Sequence, residues 1–212
     1  MRRFPFLLLW VAWLVAPVQA ALQIEFDYRY DIEGFFDDPL RRESLEAAGR
    51  LVNRYVDDLD AVIPSEGNSS LALVNDPATG SDVLLRDEPV PQGTIVIFAA
   101  GRELPGRLAQ AIEYSPLGIG EPEWVAQVAH RGQEGAALLP ATDYGPTGSS
   151  LSFNSDLTEV PWHFDLSTEG LGAREFDFIT VAMHELIHSM GLGVASSFLD
   201  HVNESNEFLG AN

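Results

Sequence analysis

His184 and His188 stand four residues apart with Glu185 directly after the first of them, and this H-E-x-x-H order is the most chemically specific feature of the 212-residue chain. On a helix, a four-residue step sets two side chains on one face, one turn apart. Two imidazole nitrogens placed that way can converge on one tetrahedral cation, and zinc suits such donors. Zinc with an open position acidifies water, so a neighbouring carboxylate can take a proton from the attacking water and return it to a leaving amine. The chemistry expected is hydrolysis of an amide, with His184 and His188 as metal ligands, Glu185 as general base and Zn2+ as the cofactor.

The flanking residues supply the helix that the motif needs. Asp177 suits an N-cap and Gly191 a left-handed stop. Between them Phe178, Ile179, Val181, Ala182, Leu186 and Ile187 give the apolar cover of a helix packed into a core. Two histidines alone rarely hold a catalytic zinc, so a third protein donor is expected. The chain has no cysteine, which leaves His, Asp or Glu. His201, thirteen residues after His188, is the nearest candidate, with Asp200, Glu204 and Glu207 as alternatives. The competing reading of His201 is an ordinary loop histidine.

Other elements must position this helix. Leu22, Ile24, Phe26 and Tyr28 alternate with polar residues, the period-two pattern of a half-buried strand. Asp37, Asp38 and Pro39 mark a helix start, and apolar residues at three- and four-residue steps from Leu45 to Leu59 predict one long amphipathic helix over residues 40–63. A short strand is expected at residues 71–74 with a hairpin partner at 83–85. The apolar run at residues 94–100 reads as a strand buried on both faces. Prolines and glycines interrupt residues 101–148 throughout, so a long irregular region is expected there, and such regions often surround a functional site. Two further short strands are predicted at residues 150–154 and 162–166. His163, between Trp162 and Phe164, reads as a structural histidine with substrate contact as the alternative, and His130 has no partner visible in the sequence.

Composition narrows the classes of function. Arg2 and Arg3, the apolar residues 4–15 and Val18-Gln19-Ala20 read as a signal peptide over residues 1–20, which places the mature chain of residues 21–212 in the periplasm or outside the cell. No later stretch is apolar enough to span a bilayer, so stable membrane insertion is not expected. All 12 basic residues are arginine, against 32 acidic ones, for a net charge of −20. Such a surface repels phosphate backbones, which excludes nucleic acid as a partner. The acidity reads as a solvated surface, with calcium binding or a high-salt habitat as the alternative, and no D-x-D-x-D-G calcium loop is present. The sequons at Asn68 and Asn203 are short patterns that carry little without their host.

Residues 184–191, His-Glu-Leu-Ile-His-Ser-Met-Gly, resemble the H-E-x-x-H-x-x-G opening of the metzincin metalloproteases. Ser150-Leu151-Ser152-Phe153-Asn154, Trp162-His163-Phe164 and the run from Phe176 to Ala182 are similar to a group of secreted bacterial metallopeptidases, as are Phe35-Phe36 and Leu45-Glu46-Ala47-Ala48. The resemblance implies an α/β (α+β) chain of zincin-like fold, with a twisted mixed sheet, a long first helix and an active-site helix beneath a substrate cleft. An edge strand would line that cleft and pair with extended substrate, and residues 94–100 or 150–154 could supply it. The chain departs from the pattern where a third His or Asp should stand three residues after the glycine, because that position is Val194. Leishmanolysin-like relatives tolerate a longer insertion, and His201 could serve if residues 192–200 form one. The given sequence ends before the Met-containing turn of metzincins, which suggests a trimmed or compact variant. The reading expected is a secreted zinc endopeptidase acting on protein or peptide substrates. The alternative is a non-catalytic extracellular binding module on a degenerate scaffold of the same kind.

Overall fold

The computed structural model describes residues 22–53, 58–205 and 207–209. The leader reading of residues 1–20 lies outside them, as do Tyr55 and Val56 of the expected first helix.

The chain forms a mixed α+β fold. Strand β1 (Gln23–Asp27) follows the predicted alternation and leads into helix α1 (Pro39–Val52). Asp38 caps α1 by accepting the Leu40 N–H at 2.9 Å, and Pro39 occupies the first turn, where its missing N–H costs nothing. The expected span of α1 needs correction, because the helix ends at Val52 and Asn53 closes it on Gly49. Leu59 and Val62 keep a helical spacing but serve opposite cores: Leu59 joins the one beneath α1, and Val62 bridges Val90 within the other. No single helical face could do both.

Beyond this segment come β2 (Ser69–Asn75) and β3 (Asp82–Arg86), paired antiparallel as the hairpin expected, and then β4 (Thr94–Arg102), whose first eight residues are all buried. The interrupted region is more regular than its composition predicts. It contains β5 (Ala109–Tyr114), β6 (Leu117–Ile119) and helix α2 (Pro122–His130). Strand β7 (Gly148–Asn154) follows. The expected strand at 162–166 contracts to β8 (Trp162–His163), which pairs in parallel with β9 (Phe176–Asp177). Helices α3 (Phe178–Ser189) and α4 (Ser196–Leu199) complete the described chain.

The main sheet has the order β1-β4-β7-β5, with β5 alone running antiparallel to its neighbour. A second sheet has the order β3-β2-β6. Alternation along β4 divides the interior into two layers. Ile95, Ile97 and Ala99 join Leu45, Phe36, Phe153 and Phe178 under α1 and α3, whereas Val96 and Phe98 meet Val74, Trp124 and Val128 under the second sheet and α2. Phe178, fully buried, stacks near Phe153 at 4.7 Å and Phe164 at 4.9 Å between ring centroids, which fixes the start of α3 against the sheet. Both strands expected to supply the sheet edge are interior, and β5 is the last strand on that side.

One polar side chain is sunk among the strand ends. Arg131 is 0% exposed and donates to the carbonyls of Asp60, Thr94, Pro146 and Pro91 at 2.7 to 3.0 Å. It thus ties its own segment to three others, at Asp60, at Pro91 with Thr94, and at Pro146.

Candidate metal centre

Helix α3 begins at Asp177, whose carboxylate accepts the Thr180 N–H at 3.0 Å and the Thr180 hydroxyl. Phe178, Ala182, Leu186 and Ser189 form its buried stripe, while Thr180, His184 and His188 fall at four-residue steps on the opposite side. Val181 and Glu185 lie between, towards β5. The helix stops at Gly191, whose φ of 92° is a left-handed turn that glycine adopts without strain. A side chain there would also meet the Tyr144 ring, with Cδ1 2.5 Å from a Cβ.

The two imidazoles converge. His184 Nε2 and His188 Nε2 lie 3.0 Å apart, with the ring planes at 87°. Two nitrogens about 2.05 Å from one tetrahedral ion would stand about 3.3 Å apart, so this spacing fits two ligands of a shared zinc. The outer nitrogen of His188 is held as well: Nδ1 sits 2.8 Å from the Leu192 carbonyl. A carbonyl can only accept, so Nδ1 carries the proton and Nε2 turns its lone pair inward. Leu192 takes this position because the turn at Gly191 folds the chain back over the end of α3.

Glu185 is 8% exposed. Burial pushes its carboxyl above the ordinary carboxylate range, opposed by the imidazoles of His184 and His188 and by the backbone amide of Ala111 in β5. Farther along β5, one carboxylate oxygen of Glu113 is buried without a hydrogen-bond partner among the described residues, and its charge adds to the rise at Glu185. Burial and the same Glu113 carboxylate push the Tyr144 hydroxyl up to about 12. A cleft of about 450 Å³ opens beside the motif, between residues 107–109 and Thr180, Val181, His184 and Glu185.

The helix is tied to the sheet one turn beyond Glu185. Ser189 Oγ donates to the Glu185 carbonyl at 3.1 Å, so in the 2.6 Å contact between Ser149 and Ser189 it is Ser149 that donates. Both hydroxyls are buried, and their pairing fixes α3 against β7.

The structure brings His184, Glu185 and His188 together and leaves the other candidates apart. Among the described residues no group of three His, Asp or Glu side chains is placed to hold a metal. His201 follows α4, with its ring beside Phe208, and lines a separate cavity of about 460 Å³ bounded by Tyr144, Gly191 and Leu192. Glu207 accepts from Asn203, Asp200 and Glu204 are exposed, and Val194 is 38% exposed. His163 is buried, with Nε2 at 2.8 Å from the Ser167 carbonyl and Nδ1 at 3.7 Å from Glu175, where it closes the excursion between β8 and β9. His130 ends α2, and Met190 packs against the core as it caps α3. Arg107, Ala111, Glu113 and Tyr144 were not singled out by the sequence, and all four lie in the stretch read as irregular. The available signal was the short A-Q-A-I-E-Y segment of β5, followed by turn residues.

No protein-family model matches the chain, and no curated protein or solved structure is significantly similar to it.

Proposed function

We propose that the chain is a zinc-dependent endopeptidase of zincin-like fold, exported from the cell and acting on protein or peptide substrates. The observation that carries this reading is the 3.0 Å convergence of two imidazole nitrogens beside a buried carboxylate, on a helix that borders the last strand of a mixed sheet. His184 and His188 would hold the zinc through Nε2, whereas His201, the third donor expected from the sequence, lines a separate cavity. A bound zinc supplies Lewis-acid polarisation of the scissile carbonyl and acidification of the attacking water.

The remaining work falls to the chain's own groups. Glu185 accepts a proton from the water and delivers it to the leaving amine, a role favoured by a carboxyl that burial raises above its ordinary range. As the last strand of the sheet, β5 would pair with an extended peptide, which would lie across the cleft with its bond against Glu185. The Ser149–Ser189 contact and the Leu192 carbonyl keep Glu185 and His188 from drifting relative to that strand.

The test is zinc content and cleavage of a generic protein substrate by the purified chain, with and without chelator. Activity that chelation removes, and that Glu185→Gln lowers by about 10²–10⁴-fold while zinc is retained, supports the reading. His201→Ala should weaken zinc binding if it is the third donor. A second reading, a binding module that has lost catalysis, is favoured by the lack of a third donor near the pair. Bound zinc without cleavage in the wild type selects it, and failure to bind zinc at all removes the peptidase.

A further inference from the structure

Most described arginines are engaged. Arg29 bridges Asp27 and Glu88, Arg41 pairs with Asp38, Arg50 with Glu46, and Arg102 donates to Gln110. The Arg107 guanidinium has no hydrogen bond or ion pair among the described residues, although acidic side chains outnumber basic ones 32 to 12. It lines the cleft that also holds His184 and Glu185, and among the described residues it is the only Arg or Lys to do so.

Its position is built from below. The Arg107 N–H closes a turn on the Leu104 carbonyl at 2.9 Å, and Gly106 makes the corner with a φ of 73°. The Gly106 N–H donates to Glu159 at 2.8 Å. Fully buried Asn154 donates through Nδ2 to the carbonyls of Leu104 and Arg107, at 2.9 Å each. The backbone under the guanidinium is therefore anchored in the sheet, while the side chain itself is exposed and unspent.

We propose that Arg107 captures a carboxylate of the peptide lying in this cleft, so that the enzyme selects substrates with an anionic group on the side of the scissile bond that faces the start of α3. The inference rests on the peptidase reading and adds a substrate class to it. An arginine fork matches a carboxylate in two parallel hydrogen bonds. The acidic surface repels anionic peptides at a distance, so attraction is gained only where a cation faces the bound chain. Arg107 precedes Ala111, beside Glu185, by four residues, or roughly 10–13 Å of extended chain. Allowing for the reach of the arginine, the carboxylate sits about two to three residues from the bond attacked. It can belong to an Asp or Glu side chain or to a peptide's own terminus, and the test separates the two.

The test has a cleavage arm and a binding arm. In the first, the zinc-loaded chain is incubated with a tryptic peptide library from a bacterial lysate and its cuts are mapped by mass spectrometry. In the second, the Glu185→Gln variant is titrated with three fluorescent nonapeptides: one amidated with Glu two and three residues on either side of its centre, its Gln counterpart, and that counterpart with a free carboxyl terminus. Cuts should cluster at a fixed distance from Asp or Glu if side chains are captured, or from the carboxyl end if termini are. The preferred anionic nonapeptide should bind about tenfold more tightly than the neutral one. Arg107→Gln should bring both preferences near one, and Arg107→Glu should take them below one. A wild type without anionic preference, or a preference that survives Arg107→Gln, overturns the proposal. Should no peptide be cut while the Arg107-dependent binding preference holds, the peptidase reading falls and carboxylate capture stands.

Discussion

Gly193→Ala probes how the candidate centre is held from behind. Gly193 has a φ of 83°, and a Cβ there would lie 3.3 Å from Cε1 and 3.4 Å from Nδ1 of His188. Alanine costs about 1–2 kcal/mol in the left-handed region before any contact is counted. The imidazole must then give by a few tenths of an ångström, at the nitrogen that meets the Leu192 carbonyl at 2.8 Å. That hydrogen bond is worth about 0.5–1.5 kcal/mol. Its larger effect is on direction, since disturbing the group that orients a metal-bound histidine typically lowers metal affinity about 10–100-fold. Zinc titration in competition with a chromophoric chelator should show the dissociation constant rising by that factor. Thermal unfolding of the metal-free variant should show a loss of about 1–2 kcal/mol. A variant that loses this stability yet binds zinc as tightly as the wild type would refute the orienting role of the Leu192 carbonyl.

Two stability predictions concern the scaffold. Arg131→Met strips charged donors from four carbonyls, those of Thr94 and Pro146 in fully buried hydrogen bonds, and should lower the unfolding free energy by more than about 4 kcal/mol, seen as a fall in the urea midpoint; a loss under about 1 kcal/mol would mean that water replaces the guanidinium. Hydrogen bonds from the Thr158 hydroxyl and from the amides of Thr158 and Glu159 hold the Asp156 carboxyl below the usual carboxylate range. A depressed folded value contributes stability above the unfolded value and loses it as the pH falls through the folded one. Asp156→Asn should therefore melt below the wild type at pH 7, with the gap closing in strong acid, and a gap independent of pH would exclude the charge as its source.

The motif helix was legible because every local signal agreed: Asp177 as cap, Gly191 as stop and an apolar stripe between them. β4 was legible for a similar reason, since a strand covered on both faces reads as an unbroken apolar run. β5 was hidden by its composition. Ala109, Ala111 and Glu113 share one face and Gln110, Ile112 and Tyr114 the other, so neither face is uniformly apolar. Its order comes from pairing with β7 and packing under α3, both long-range contacts that a local window does not contain. α2 was readable in principle, from Pro122 at its start and the four-residue step between Trp124 and Val128, but the surrounding glycines and prolines masked it. For His201, spacing alone could not fix the path that residues 192–200 take after the turn. In the structure that path leads to Phe208.

The guanidinium knot at Arg131 bears on how this chain tolerates its surroundings. A cystine bridge would hold distant segments together at the cost of an oxidant to form it, and would part in the presence of a thiol. A cysteine-free chain cross-linked by one cation and four carbonyl oxygens assembles on collapse without electron transfer and has no mispaired forms to unscramble. Its integrity should be indifferent to the redox poise around it, so reducing agents that disarm bridged proteins would leave this scaffold standing.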